Sequence, residues 1–286
     1  MILKDKVSLV TGASQGLGKE IARQFLGEGS HVAICARDPS RLQAVRCELS
    51  ERAGESQKVF AMACDVSSPD QVEGLFEAVL SELGPVEILV NNAGVYGPKG
   101  ESDTVPFADW ARAIEINLYG TFLPSQYGVR QMKKIGRGKI INLSGGGATS
   151  PLPRISAYAA SKAAVVRLTE TLAEEFRSYS IDVNAVAPGA LNTRLLEEVL
   201  NAGPEVVGNE FYDKALQQRG SGGVPLEKGA RLCVFLASPE SDGITGKLIS
   251  AQWDPWEKLH EFREKLAKSD VYTLRRVVPE DRGFEW

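Results

Sequence analysis

Val7-Ser8-Leu9-Val10-Thr11-Gly12-Ala13-Ser14-Gln15-Gly16-Leu17-Gly18 is the stretch whose reading decides the fold. A short apolar run that stops at a glycine reads as a buried parallel strand. The residues that follow, Ile21, Ala22, Phe25 and Leu26, recur at helical spacing. A strand that passes through a glycine-rich turn straight into a helix makes a phosphate cradle. The glycines let the backbone approach a ligand, and the helix N-terminus offers unpaired N–H groups and the positive end of its dipole. The spacing here is G-x-x-x-G-x-G, not the familiar G-x-G-x-x-G, and a tight turn into a helix would use the same glycines. Position directly after the first strand favours the nucleotide reading.

Further along, apolar runs alternate with helical patterns, as they do in a doubly wound sheet. His31 to Cys35 reads as the second strand, and the residue at its end is expected to select the dinucleotide. An acid there would hold the ribose 2′-OH of NAD, whereas an arginine accommodates the 2′-phosphate of NADP. Ala36-Arg37-Asp38 puts Ala36 where the acid is expected and Arg37 next, which points to NADP with NAD possible through Asp38. Arg41 to Ala53 is expected to be a helix, Val59 to Ala63 a third strand, and Gln71 to Leu83 a helix stopped by Gly84-Pro85. Asp65, at the carboxyl end of that strand, faces the ligand crevice and suits an adenine edge or, equally, an Asx turn before the helix.

Ile88 to Val90 is the fourth strand, followed by Asn91-Asn92-Ala93-Gly94, read either as turn chemistry or as a crevice end that a ribose lies against. Phe107 to about Met132 reads as one long helix with a possible kink at Pro124. Asn117 sits among apolar neighbours there, so its amide must find partners. Lys139 to Leu143 is the fifth strand and Ile181 to Ala187 the sixth. Residues 195–224 read as a helical insertion at the ligand end, a lid or substrate wall. Glu227 to Ala237 is expected to be a helix, Lys247 to Ser250 the last strand, and Leu274 to Val278 strand-like.

Between the fifth and sixth strands lies Tyr158-Ala159-Ala160-Ser161-Lys162, on a helix expected to start at Ser156 and to bury Val165, Leu168, Leu172 and Phe176 on its other face. Residues four apart project from one face, one turn apart. A free phenol titrates near ~10, too high for proton transfer at neutral pH, and an ammonium beside it favours the phenolate. The pair is a candidate proton-transfer device.

The chain has 286 residues, 43% hydrophobic and 24% charged, with a formal net charge of −4, and no basic run suggests a nucleic-acid or membrane surface. Cys35, Cys47, Cys64 and Cys233 show no C-x-x-C spacing, and His31 and His260 are isolated, so neither a metal site nor a disulfide framework is expected. No leader is expected before the first strand, no apolar run is long enough to span a bilayer, and the expected home is the cytoplasm.

Thr11-Gly12 through Gly18, Asn91-Asn92-Ala93-Gly94, Asn117, Tyr158 through Lys162, and Pro188-Gly189 with Thr193 together resemble the short-chain dehydrogenase/reductase family over roughly residues 5–250. The resemblance implies an α/β fold, a doubly wound (Rossmann), three-layer single domain with a mostly parallel seven-stranded sheet. Residues 1–250 would form it and 251–286 an extension on the domain or on an oligomer neighbour. It implies that Tyr158 is the catalytic acid/base, that Lys162 lowers its pKa and grips the nicotinamide ribose, and that Asn117 holds a water in the proton relay. Gly12, Ser14, Gly16 and Gly18, with Gln15 and Leu17 between them, would line the pyrophosphate. Asp65 and Val66 would meet the adenine, Asn91, Ala93 and Gly94 the adenosine ribose, and Pro188, Gly189, Leu191 and Thr193 the nicotinamide.

Two departures stand out. Counting back from Tyr158, or on from Asn142, the family's carbonyl-polarising serine falls on Gly145, with Ser144 one residue away. Either Ser144 serves, which is the expectation, or the role passes to a water or a substrate-loop group. The last strand runs into Ala251-Gln252-Trp253-Asp254-Pro255-Trp256, where Trp253 or Trp256 could wall a pocket, although a strap over the core is favoured. The expected activity is hydride transfer between NADP (or NAD) and the carbonyl or secondary alcohol of a small molecule such as a sugar or other polar metabolite. A 3-oxoacyl-thioester reductase and a catalytically impaired dinucleotide sensor are the rivals. A homodimer or homotetramer is expected.

Overall fold

The computed structural model describes residues 1–284; Glu285 and Trp286, the end of the expected extension, lie outside the described residues. Strand β1 (Val7–Thr11) is buried along its whole length and delivers the chain into α1 (Gly16–Gly27), whose Leu17, Ile21, Phe25 and Leu26 pack into the core. Then come β2 (His31–Ala36), α2 (Pro39–Ser50), β3 (Val59–Ala63), α3 (Pro69–Glu82) and β4 (Ile88–Asn91). The helix α4 (Phe107–Ile114) continues through a wide π turn, Glu115–Tyr119, into α5 (Gly120–Ile135), and β5 (Gly138–Leu143), α6 (Ser156–Phe176) and β6 (Ile181–Ala187) follow. The insertion forms α7 (Arg194–Ala202), α8 (Pro204–Val207) and α9 (Asn209–Ser221), before α10 (Leu226–Ala237), β7 (Leu248–Ser250) and α11 (Arg263–Ala267).

The seven strands form one sheet in the order β3-β2-β1-β4-β5-β6-β7. Every pairing is parallel, so the sheet is more uniform than the mostly parallel one expected. Parallel strands need crossovers, and the crossover helices cover both faces. On one side Ile21, Phe25 and Phe235 join the core, and on the other Phe76, Val129 and Leu172. The order reverses between β1 and β4, and at such a switch point the strand ends open a crevice. The turns after Thr11, Asn91 and Leu143 therefore meet at one end of the sheet. No helix among the described residues is long and apolar enough to cross a membrane.

Three expectations about elements change. The break in the long helix lies at Asn117, not at Pro124, which sits inside α5. The Thr121 hydroxyl donates to the Asn117 carbonyl at 2.8 Å and the Ser125 hydroxyl to that of Thr121 at 2.7 Å, a back-bonding that competes with the regular ladder and bends helices. Leu168 and Phe176 are only partly buried on α6. Its inward face instead runs from Tyr158 and Lys162 through Val165 and Thr169 to Leu172.

Residues Leu274–Val278 form no strand. The Leu274 amide donates to the Glu170 carboxylate at 2.6 Å, so the apolar run has a side chain and not a strand as its partner. The segment before it straps the sheet edge: the Leu248 amide donates to the Tyr272 carbonyl at 2.8 Å, and the Lys247 ammonium to the carbonyls of Ser269 and Val271, both at 2.9 Å.

Candidate active site

A cavity of about 1090 Å³ opens at the carboxyl ends of the strands and spans the switch point. Gly12, Ser14, Gln15, Gly16, Leu17 and Gly18 line it, as do Arg37, Asp65, Val66, Ala93, Gly94, Ser144, Tyr158, Lys162, Pro188, Gly189, Leu191 and Thr193. Asn91 and Asn117 do not reach it. Successive residues at a strand end point to opposite sides. Asn91 turns into the sheet, donating to the Asn142 amide oxygen at 2.8 Å and the Ser125 hydroxyl at 2.9 Å. Asn92 takes the crevice position instead, and its amide clips the carbonyls of Thr11 and Gly12 at 2.9 and 3.1 Å.

The glycine turn fits a pyrophosphate on geometric grounds. Gly12 has a φ of +65°, and a Cβ there would lie 2.7 Å from the Ala93 Cα, so only glycine lets these two backbones close over one another. Extended Gln15 precedes α1, and no side chain caps the helix, so its first N–H groups face the cavity. At Gly94 a Cβ would stand 3.3 Å from the Asn117 amide oxygen and 3.5 Å from the Lys162 nitrogen, so the missing side chain keeps the path beside Lys162 open. A continuous groove from Arg37 to Thr193, walled by backbone and glycine, is what a dinucleotide requires.

At the adenosine end the Asp38 carboxylate caps α2, accepting from the Arg41 amide at 3.0 Å, and pairs with the Arg41 guanidinium at 3.4 Å. Arg41, which the sequence reading left as an ordinary helix residue, lines the cavity with Arg37. The Asp65 carboxylate makes the Asx turn: the Ser67 amide and hydroxyl donate to it at 3.0 and 2.6 Å, and Arg112 donates to its other oxygen. Burial pushes this carboxyl up, but the Ser67 hydrogen bonds and the Arg112 guanidinium outweigh it and hold the group below the usual range.

At the opposite end Tyr158 and Lys162 meet on one face of α6. The ammonium lies 5.8 Å from the phenol ring centroid and donates to the Leu143 carbonyl at 2.7 Å. Burial lowers the Lys162 pKa to about 8. For Tyr158 the surroundings act against the lowering that the sequence implied. Burial, with Tyr96 adding to it, pushes the phenol up, because the ammonium is turned to a backbone carbonyl while apolar walls disfavour the phenolate.

Asn117 is fully satisfied. Its oxygen accepts from the Val95 amide and its nitrogen donates to the Val95 carbonyl and the Ser161 hydroxyl, each at 2.9 Å. Its side chain therefore bolts the turn at Val95 to α6. Wide π turns of this kind recur at functional sites.

Gly145 lies against the tyrosine: a Cβ there would be 2.0 Å from the Tyr158 hydroxyl oxygen. The neighbouring Ser144 hydroxyl is enclosed and has no hydrogen-bond partner among the described residues. Tyr96, absent from the sequence reading, packs its ring against Tyr158, with centroids 4.7 Å apart at 77°. A lone aromatic two residues past the asparagine–glycine turn carries no periodicity that would have marked it. Of the two tryptophans in question, Trp253 lines the cavity mouth while 79% exposed, and Trp256 is core, 5.9 Å from the Phe235 ring.

A parallel switch-point crevice whose glycine turn fits a dinucleotide, and which holds a buried phenol and ammonium, is the site of a nicotinamide-dependent oxidoreductase. Residues 6–202 match the family model described as short chain dehydrogenase, and this chain belongs to that family. It is 32% identical over 248 residues to 7alpha-hydroxysteroid dehydrogenase of Escherichia coli (strain K12), covering 87% of this chain and 93% of that one. Among solved structures it is similar to an actinorhodin polyketide ketoreductase with NADPH, at TM-score 0.78 and 32% identity over 86% of this chain and 95% of the other. It is also similar to an NAD+-bound xylitol dehydrogenase, at TM-score 0.78 and 28% identity over 87% and 98%. The protein is thus an oxidoreductase that moves hydride between a nicotinamide cofactor and an alcohol/carbonyl pair.

Proposed function

We propose that this enzyme reduces the ketone, or oxidises the matching secondary alcohol, of a largely apolar small molecule, with NADP preferred over NAD. One observation carries the reading: Tyr158 and Lys162 line the same cavity as the glycine turn, beside the bare backbone of Gly94 and Gly145. When bound, a reduced nicotinamide supplies hydride to the carbonyl carbon. Tyr158 donates its proton to the carbonyl oxygen, and its raised pKa keeps that proton in place at neutral pH. Lys162 holds the cofactor's ribose and feeds the proton back. Asn117 acts by fixing Val95 and Ser161 around the pair. Gly12 through Gly18 hold the pyrophosphate, with Val66, Ala93 and Asn92 along the adenosine. Pro188, Gly189, Leu191 and Thr193 face the nicotinamide.

The substrate class follows from the walls beyond Tyr158. Leu152, Leu195, Leu196, Val199 and Phe211 line them, largely from α7 and α9, with Arg194 and Gln218 as polar members of the same helices. Walls of this kind suit an apolar ring system better than the sugar that the sequence suggested. A panel of a steroid 7-ketone, an aromatic polyketide ketone, xylulose and a 3-oxoacyl thioester, each assayed with NADPH and NADH, tests this. The steroid or polyketide ketone should turn over fastest. Preference for xylulose, or for the thioester, would remove the apolar assignment.

The NADP preference rests on Arg37 and Arg41, with the nearby Asp38 already committed as a helix cap. A charge-assisted hydrogen bond contributes about 1.5–3 kcal/mol. Replacing both arginines with alanine should therefore raise the KM for NADPH by roughly 10- to 100-fold, and leave that for NADH within about threefold. An equal loss with both cofactors would contradict the assignment.

The reading includes a cytoplasmic homodimer or homotetramer. Phe122, Val129, Leu172 and Phe176 line a groove of about 310 Å³ on the outer faces of α5 and α6. Sedimentation of the purified protein checks it, with a monomer as the contrary result.

A further inference from the structure

We propose that the Tyr96 phenol is a catalytic hydrogen-bond donor, polarising the substrate carbonyl alongside Tyr158. The inference rests on the hydride-transfer reading above. As hydride adds to the carbon, the π pair of the carbonyl collects on oxygen, and a further donor aimed at that charge lowers the barrier. Any second donor must stand beside the Tyr158 hydroxyl. Position 145 is filled by the phenol oxygen itself, 2.0 Å from where a Cβ would be, and carries no side chain. Ser144 lines the cavity, but its hydroxyl oxygen is buried and unpartnered among the described residues.

Tyr96 is the phenol packed against Tyr158, with ring centroids 4.7 Å apart. Its ring stands edge-on to Tyr158, it lines the same cavity, and its hydroxyl makes no hydrogen bond among the described residues and is less enclosed than that of Ser144. The turn that carries it is rigid. Asn117 grips both the N–H and the carbonyl of Val95 at 2.9 Å. On the other side Gly97, at a φ of +74°, presses so close to α4 that a Cβ would lie 2.5 Å from that of Ala113. A donor held this firmly needs no reorganisation during the reaction.

The surroundings also keep Tyr96 protonated. Burial, and then the Glu198 carboxylate, push its pKa up to about 12. That carboxylate is itself anchored by Lys99 at 3.2 Å and Arg194 at 3.0 Å. The two phenols therefore divide the work. The O–H bond of Tyr158 breaks and its proton joins the oxygen as the C–H bond forms. Tyr96 donates a hydrogen bond throughout and keeps its proton.

Tyr96→Phe keeps the ring and removes only the hydroxyl. With the panel ketone that the wild type turns over fastest, kcat should fall by about 10², while the KM for ketone and the Kd for NADPH stay within about threefold. Ser144→Ala should lose far less than Tyr96→Phe, and Tyr158→Phe should lose about 10³–10⁴. A Tyr96→Phe enzyme within threefold of wild-type kcat, or a loss that falls on Ser144→Ala instead, overturns the proposal and leaves the hydride-transfer reading intact. A Tyr158→Phe enzyme within tenfold of wild type, or no turnover of any panel ketone by the wild type, overturns the underlying reading instead.

Discussion

Tyr158→Phe should lower kcat by about 10³–10⁴ with NADPH affinity unchanged. General acid–base catalysis contributes about 10²–10⁴, and here no other proton donor within the cavity stands ready to substitute. The Tyr96 phenol holds its proton up to about pH 12, and the Lys162 ammonium is directed at the Leu143 carbonyl. The ring of the variant still packs against Tyr96 and Gly145, so the cavity keeps its shape. Single-turnover decay of NADPH absorbance gives the rate, and quenching of protein fluorescence gives the Kd. The same chemistry fixes the pH dependence. Reduction uses the protonated phenol, whose pKa burial raises, so its rate should stay level through neutral pH. Oxidation needs the phenolate, so its rate should climb as pH rises. A variant within tenfold of wild type, or an oxidation rate that falls with pH, would count against Tyr158 as the proton carrier.

What the sequence could reveal divides along a physical line. Buried parallel strands and the helices between them are written in local patterns, so Ile181–Ala187 and the start of α6 at Ser156 were legible to the residue. The glycine turn was equally plain, because Gly12 is required by close approach and not by preference. What escaped depends on partners distant in the chain. The side chain of Asn117, in the π turn, is held by Val95, 22 residues back. Asp65 is occupied by Arg112, 47 residues on. The apolar run at Leu274 resembles a strand and lacks only an edge to join, since the sheet edge is already covered by the residues just before it. The choice between Asn91 and Asn92 turned on a single step of strand alternation, the finest distinction that a pattern carries.

Lys162→Met should separate function from stability. The ammonium is 4% exposed, and burial takes its pKa from an ordinary 10.5 to about 8. At pH 7 the enzyme therefore keeps a charge in a dry place, at a cost of roughly 3 kcal/mol, offset in part by the bond to Leu143. The linkage has a definite sign. Between about pH 8 and 10 the folded protein binds fewer protons at this site than the unfolded chain, so the lysine's contribution to stability rises with pH across that window. The Tyr158 phenol, raised above 10, acts in the opposite sense and only at higher pH.

Methionine fills similar space without the charge. At pH 7 the variant should unfold no earlier than wild type and up to several degrees later. From pH 8 to 10 the wild type should close that gap. Activity should fall by about 10³, since the variant loses both the return path for the Tyr158 proton and the grip on the ribose. Paired thermal melts at pH 7, 8 and 9.5, with kcat measured alongside, read both effects. A methionine variant several degrees less stable at pH 7, with a gap that does not change with pH, would mean that Lys162 is a structural strut and not a charge held for catalysis.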